Sequence, residues 1–232
     1  MAPVTRRHSS TIAASTTAVS GSPQPMSDQQ SLGIAILAGG RSRRFDGRPK
    51  GCLTVDGRPL LQRVIDAASP LKHPMWLVRA ADPVPALASA LNRTGLPQLV
   101  DDRPDVGPLG ALTTSLAHTD CDRILLLACD LPFLTESFLA WLLSQATQAT
   151  VVVPGDGDHL HPLCSVFHRR CESPLRDCVE AGRFRAHDFI FALDDVHAVP
   201  RSKWARFDEG GLLMNVNTDQ DLERAETLAQ SL

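Results

Sequence analysis

Apolar residues fall into short unbroken runs along this chain, separated by polar stretches holding Gly, Pro and Asp. The runs from Gly33 to Ala38, Met75 to Val78, Leu99 to Val100 and Ile124 to Ala128 read as strands. Their continuous apolar character predicts burial on both faces of a sheet. Between them the spacing changes to that of helices. Leu60, Leu61, Val64 and Ile65 share one face of a helix that Pro59 opens and that runs to about Ala68. A short helix is expected near Pro85 to Leu91. Another starts at Gly107-Pro108 with Leu109, Leu112 and Leu116 on one side. Thr135 can cap a fourth helix that carries Phe138, Leu139, Leu142 and Leu143. Leu53-Thr54-Val55 is a short extended piece, and Asp56-Gly57 marks a turn. Strands alternating with helices predict an α/β fold, with a parallel sheet covered by helices on both faces.

The second half is less regular. Val151-Val152-Val153 is followed by Pro154-Gly155-Asp156-Gly157-Asp158, which reads as a turn cluster. His161-Pro162 leads into an extended stretch from Leu163 to Phe167. Ser173-Pro174 opens a helix that Gly182 closes, and Val196 to Val199 is a further strand. Thr218-Asp219-Gln220-Asp221 has the pattern of a capping box opening the last helix. No internal repeat is visible. Residues 1–30 stand apart: they are rich in Ser, Thr, Ala, Pro and Gln, with Asp28 as the one acid. Such a segment buries too little apolar surface to offset its ordering entropy. It is expected to be a disordered or artefactual extension ahead of one domain spanning residues 31–232. Arg6 and Arg7 among Ser and Thr also fit a transit peptide, and a natural start at Met26 is a third option.

Bulk composition narrows the classes. The chain has 232 residues, 43% of them hydrophobic and 21% charged, as in ordinary globular domains. A net charge of −3 supplies no global attraction to nucleic acid or to an anionic membrane surface. No apolar run approaches the ~20 residues that a membrane helix needs. Six cysteines lie at 52, 121, 129, 164, 171 and 178 without any Cys-x-x-Cys pair. Scattered thiols of this kind fit a reducing cytoplasm better than a disulfide framework. Cys121, Cys129, Cys171 and Cys178 are most simply core thiols.

Candidate chemistry gathers where the strands end. The first strand stops at Gly39-Gly40, and Arg41, Arg43, Arg44 and Lys50 follow. Glycine lets backbone approach a ligand because no Cβ intervenes. Arg and Lys are suited to phosphate oxygens. Residue chemistry alone admits two readings, a phosphate-binding loop and a tight strand exit followed by a solvated basic loop. Neither the Walker pattern nor the dinucleotide fingerprint is present. Asp101 follows the third strand, and Asp130 follows the fourth. In parallel sheets ligands bind beyond the carboxyl ends of the strands. One edge would therefore hold the glycines, the cations and both carboxylates. A carboxylate in that position suits Mg²⁺, which takes one or two carboxylates plus phosphate oxygens. Local chemistry does not choose between Asp101 and Asp102 as a nucleotide contact or a turn former. His159, His161, Cys164 and His168 match no closed zinc spacing. No nucleophile elbow or Ser-His-Asp order is present.

The ordered string Leu37-Ala38-Gly39-Gly40-Arg41-Ser42-Arg43-Arg44-Phe45-Asp46-Gly47-Arg48-Pro49-Lys50 resembles the signature loop of nucleotidyltransferases, and within them of the molybdenum cofactor guanylyltransferases, the MobA-like NTP transferases. Gly107-Pro108-Leu109-Gly110-Ala111-Leu112, Cys129-Asp130-Leu131-Pro132-Phe133, His161-Pro162-Leu163 and Asn215-Val216-Asn217-Thr218 resemble later motifs of the family, in the same order. The resemblance implies a three-layer, Rossmann-like α/β sandwich with a mostly parallel central sheet. It implies transfer of GMP from GTP to the molybdopterin form of the molybdenum cofactor, with Mg²⁺, in the cytoplasm. Molybdoenzymes or their chaperones would be further partners. By that resemblance Leu37, Ala38, Gly39 and Gly40 contact the nucleotide and Asp101 binds it. Lys50 binds phosphate and, with Arg44, stabilises charge on the leaving pyrophosphate. Asp130 binds Mg²⁺, and the Asn215-x-Asn217 position approaches the metal. Ala111 replaces a family glycine, Phe45 a methionine, and Arg79 or Val78 stands where an asparagine is usual. Three alternatives remain open at this point: a cytidylyltransferase for the same cofactor, a nucleotidyltransferase for another phosphorylated acceptor such as a sugar phosphate, and a nucleotide-binding regulatory module.

Overall fold

The computed structural model describes residues 31–39, 45, 47–146, 148–157 and 159–232. Strand β1 (Leu32–Leu37) leads to a two-stranded ribbon, β2 (Thr54–Val55) and β3 (Arg58–Pro59). Helix α1 (Leu60–Ala68), β4 (Met75–Arg79), α2 (Pro85–Arg93) and β5 (Gln98–Val100) follow, then α3 (Pro108–His118), β6 (Arg123–Ala128) and α4 (Glu136–Ser144). The second half holds β7 (Val151–Asp156), β8 (His159–Leu160), β9 (Cys164–His168), α5 (Glu172–Glu180) and α6 (Ala186–Phe191). It closes with β10 (Val196–Pro200), α7 (Arg201–Trp204) and α8 (Asp219–Ala229). No helix among the described residues is long and apolar enough to cross a membrane.

The main sheet runs in the order β10-β7-β9-β6-β1-β4-β5, with β8 on β7. Strands β5, β4, β1 and β6 are mutually parallel, with Leu37 level with both Val78 and Ala128. Strand β9 is antiparallel to β6 and to β7, and β10 is parallel to β7. The sheet is therefore mostly parallel but mixed. Direction could not be read from β9, because a strand buried on both faces is continuously apolar whichever way it runs.

Side chains alternate across the pleat and divide the core. Ile34, Ile36, Leu77, Leu125 and Leu127 pack under α1, α2 and α4 on one face. Ala35, Trp76, Val78, Ile124 and Leu126 pack under α3, α5 and α6 on the other. These three layers match the expected sandwich. A third, smaller cluster joins Phe45, Leu53, Val55 and Leu60 to Val216 and Ala225 of the C-terminal segment. It fastens the stretch after β1 and the β2–β3 ribbon to α8. Phe45 is completely buried there.

One expectation is corrected. The stretch Pro154 to Asp156 is strand, and the turn begins only at Gly157, whose φ is +61°. Proline is tolerated because β7 pairs with β9 only at Val151 and Val152, and with β8 only from Gly155 onward. Pro154 sits in the gap between these ladders, where its missing N–H is not needed. Helices α6 and α7 had no clear local signal, being one turn or little more. The expected capping box is present: the Thr218 hydroxyl accepts from Asp221 N, and the Asp221 carboxylate accepts from Thr218 N. The expected extension at residues 1–30, with Arg6, Arg7 and Met26, lies outside the described residues, as do Gly40, Arg41, Arg43, Arg44 and Asp158.

Candidate active site

The chain builds β4 and β5 outward on one side of β1 and then crosses back to place β6 on its other side. The order of winding reverses between β1 and β6. In an open α/β sheet the crevice beyond the strands at such a reversal is where ligands bind. Ala38-Gly39 leaves β1 on one bank of this crevice, and Cys129-Asp130 leaves β6 on the other. Cys129 N donates to Leu37 O at 3.2 Å and Ala38 N to Val78 O at 2.9 Å, which holds the β1 exit between its neighbours.

Gly39 is required by the fold itself. A Cβ there would stand 2.9 Å from Ala80 N and 3.2 Å from Arg79 Cα. The space that a side chain would take is filled by the β4 exit, so the absent Cβ first serves close packing of two strand ends. Arg79 turns to that exit as well. Its guanidinium donates to Gln98 Oε1 at 2.8 Å and to the carbonyls of Ala80 and Ala81 at 2.9 and 3.0 Å. Val78 is buried in the sheet.

Asp130 is the centre of the described site. It is only 8% exposed. Its Oδ2 accepts from Lys50 Nζ at 2.7 Å and its Oδ1 from Asn215 Nδ2 at 3.1 Å. Lys50 Nζ also donates to Asn217 Oδ1 at 2.5 Å. A buried carboxylate is tolerated when it is paired and hydrogen-bonded, and both conditions hold here. Lys50 opens a 3₁₀ turn over Lys50–Cys52. Asn217 is fixed from behind, since its N–H donates to the capping carboxylate of Asp221 at 2.9 Å. The Val216 N–H donates to Asp130 O at 3.0 Å and seats the Asn215–Asn217 segment on the β6 exit. Arg48, two residues before Lys50, donates to Asp219 Oδ1 at 2.6 Å and ties the same stretch to α8. The capping signal thus serves the site as well as the helix.

Asp101 is separated from Asp102 by the structure. Asp101 Oδ1 accepts from Arg103 N at 2.9 Å and from Thr114 Oγ1 at 3.3 Å. Burial raises the Asp101 carboxyl above its ordinary value, opposed by those two hydrogen bonds. Asp102 pairs instead with His118 at 2.9 Å. Asp101 is therefore the half-buried carboxylate at the sheet edge, and it also shapes the turn leading to α3.

A cavity of about 390 Å³ adjoins Asn215 and Leu131. His159, His161, His187, Phe184 and Arg185 line it. The His159 ring centroid lies 4.8 Å from that of His161 and 5.7 Å from that of His187. Burial, then the neighbouring His159, pull His161 down to about 4, so its ring is neutral near pH 7. His168 sits at the far end of β9 from Cys164, so the quartet considered for zinc is not gathered. Among the described residues no group of three His, Cys, Asp or Glu side chains could hold a metal ion. Sequence reasoning missed His187 and Phe184 as pocket residues. Only the exposed aromatic and basic run Arg183-Phe184-Arg185 could have drawn attention to them. Cys129 is no candidate nucleophile, because burial and then the adjacent Asp130 push its thiol up to about 12.

The chain is similar to known proteins over most of its length. The family model of the MobA-like NTP transferase domain matches residues 34–196. A probable molybdenum cofactor guanylyltransferase of Haloferax mediterranei is 33% identical over 159 residues, which span 68% of this chain and 76% of that protein. The molybdenum cofactor guanylyltransferase of Vibrio cholerae is 29% identical over 190 residues, or 81% of this chain and 87% of that protein. The crystal structure of molybdopterin-guanine dinucleotide biosynthesis protein A from Archaeoglobus fulgidus has a TM-score of 0.73 at 23% identity. It covers 86% of this chain and 100% of its own.

Proposed function

The chain belongs to the MobA-like NTP transferase family, and on that premise we propose that it transfers GMP from GTP to molybdopterin, giving the guanine dinucleotide form of the cofactor and pyrophosphate. One observation carries this reading above the rest. At the winding reversal of the sheet, Lys50, Asp130, Asn215 and Asn217 form one hydrogen-bonded network, and Asn215 also lines a cavity of about 390 Å³. The relatives named as molybdenum cofactor guanylyltransferases support guanine as the base and molybdopterin as the acceptor.

The donor set fits Mg²⁺. Asp130 offers one buried carboxylate and Asn217 an amide oxygen nearby, while Asn215 orients the carboxylate by donating its amide N–H to it. Both oxygen groups are hard donors, and Mg²⁺ characteristically completes its shell with substrate phosphates and water rather than with an all-protein cage. When bound, Mg²⁺ screens the repulsion between the two anionic substrates and the charge on the α-phosphate. Lys50 brings its ammonium to the triphosphate, where charge develops on the leaving pyrophosphate. Arg44 is proposed to share that role. Leu37, Ala38, Gly39, Gly40 and Asp101 are proposed to seat the nucleotide. The acceptor phosphate enters from the side of the Asn215 cavity and attacks the α-phosphorus in line. No protein nucleophile is needed, in keeping with the protonated Cys129 thiol.

The test is competition between GTP and CTP at equal concentration, with molybdopterin as acceptor and products resolved by mass spectrometry. The guanine dinucleotide should dominate. Dominance of the cytosine product would assign the chain to the cytidylyl branch. A second measurement addresses Lys50. Lys50→Ala should weaken GTP binding by roughly 10- to 100-fold, the scale of a charge-assisted hydrogen bond at ~1.5–3 kcal/mol. Guanosine, which has no phosphates, should bind almost as well as before. Equal losses for both ligands in calorimetric titration would show general damage to the pocket instead.

A further inference from the structure

We propose that Asp221 is a positioning residue for the reaction: acting through Asn217, its carboxylate holds the Lys50 ammonium where the triphosphate is met. The inference rests on the reading that Lys50 binds the phosphates.

The needs of helix α8 do not account for everything this carboxylate holds. A capping box takes one bond in each direction between the N-cap residue and the third residue of the helix. Both are present here. Asp221 N donates to the Thr218 hydroxyl at 3.1 Å, and Thr218 N donates to Asp221 Oδ2 at 2.9 Å. The same Oδ2 also accepts from Asn217 N at 2.9 Å. Asn217 precedes the cap, so its N–H is not one of those that a helix N-terminus leaves open. The extra bond serves the segment that leads to the site.

That segment is pinned at successive residues. Val216 is fully buried, and its N–H donates to Asp130 O at 3.0 Å. The next N–H, that of Asn217, is tied to Asp221. The backbone that carries the Asn217 amide is thus held toward β6 on one side and toward α8 on the other. From this base Asn217 Oδ1 accepts from Lys50 Nζ at 2.5 Å, while Asp130 Oδ2 accepts from the same nitrogen at 2.7 Å. Lysine is a point charge on a flexible stem, so acceptors that converge on its nitrogen select the conformation that waits for the phosphates. Asp221 also adds charge to this arrangement. Burial raises its carboxyl, but the Asn217 N–H, both groups of Thr218 and the Lys50 ammonium outweigh burial and hold it below its ordinary value. Lys50 therefore faces one carboxylate directly and a second at longer range.

The test is a double-mutant cycle read by calorimetric titration of the full-length protein with GTP and with guanosine. Asp221→Ala should weaken GTP binding roughly three- to tenfold, within the range for residues coupled in one hydrogen-bond network, and leave guanosine binding within about twofold. Asp221→Asn keeps an oxygen for both N–H groups and should recover most of the GTP affinity. Thr218→Ala breaks the other half of the capping box. It should lower the melting temperature by roughly 2–4 °C, as Asp221→Ala does, yet keep GTP affinity within about twofold of wild type. In a Lys50→Ala background Asp221→Ala should cost GTP binding nothing further, because the group it positions is gone. A merely structural carboxylate would add the same loss in both backgrounds, and that result overturns the proposal. An equal GTP loss in Thr218→Ala overturns it too. Both leave Lys50 as the phosphate-binding group, whereas unchanged GTP binding in Lys50→Ala overturns that reading and the positioning role together. Asp221→Ser repeats the cycle if Asp221→Ala folds poorly.

Discussion

Asp130→Asn should lower turnover by about 10²–10³-fold at saturating GTP and Mg²⁺, the scale on which loss of a preorganised electrostatic contact slows an enzyme. The replacement keeps the shape of the side chain and removes its charge. Two donors now converge on that side chain, Lys50 Nζ and Asn215 Nδ2. An amide has one oxygen to offer them, so one donor loses its partner in a buried place. The resulting stability loss should be about 1–3 kcal/mol, enough to register in a melting curve without unfolding the domain. Rate and melting temperature should therefore separate, with the rate falling far more than stability explains. Turnover within a factor of a few of wild type would place the cation elsewhere.

Gly110→Ala should destabilise the domain and weaken GTP binding together. Gly110 lies in the first turn of α3, where alanine would ordinarily favour a helix by about 1 kcal/mol. Here a Cβ would run into the carbonyl oxygen of Arg103 and stand 3.0 Å from Asp101 Oδ1. The obstruction is backbone and cannot rotate away, so either α3 or the Asp101–Arg103 turn must shift. Overpacking of this kind costs roughly 1–3 kcal/mol, more than the helix preference returns. A net loss of up to about 2 kcal/mol would lower the melting temperature by as much as roughly 4–8 °C in a domain of this size. Asp101 would be displaced with the turn, so GTP affinity should fall in the same variant. Higher stability, as helix propensity alone predicts, would mean that the turn yields at no cost. Gly107→Ala is the contrasting control. Its neighbourhood is open, and its difficulty is only the φ of +68°.

Much of the site was legible because its signals are local. A buried strand shows as an apolar run, and the residue that follows it is known by its place. Ile34 to Leu37 before Gly39, and Ile124 to Ala128 before Asp130, needed nothing else. Parallel strands then put both ends on one edge, so a glycine exit and a carboxylate far apart in sequence could be expected side by side. The capping box at Thr218 and Asp221 was legible for the same reason, since its two bonds span three residues.

What tertiary structure decided involves partners that local pattern cannot pair. Lys50 reaches Asp130 across 80 positions and Asn217 across 167. Each of the three alone is an ordinary polar residue, and only the folded chain makes them one network. The direction of β9 was set by where the chain had arrived, because burial on both faces removes the alternation that reports orientation. Pro154 could stay in a strand because its missing N–H falls between the β9 and β8 ladders, while it still pairs with Val199 of β10. Gly39 and Gly110 show the same division. The sequence marks them only as glycines within a motif, by their neighbours, whereas the atoms that forbid a side chain, Ala80 N and Arg103 O, belong to other segments. Periodicity records which face a residue presents, and that suffices for strands, helices and the edge where they end. Contact across the crevice depends on how those elements pack, which is a property of the whole chain.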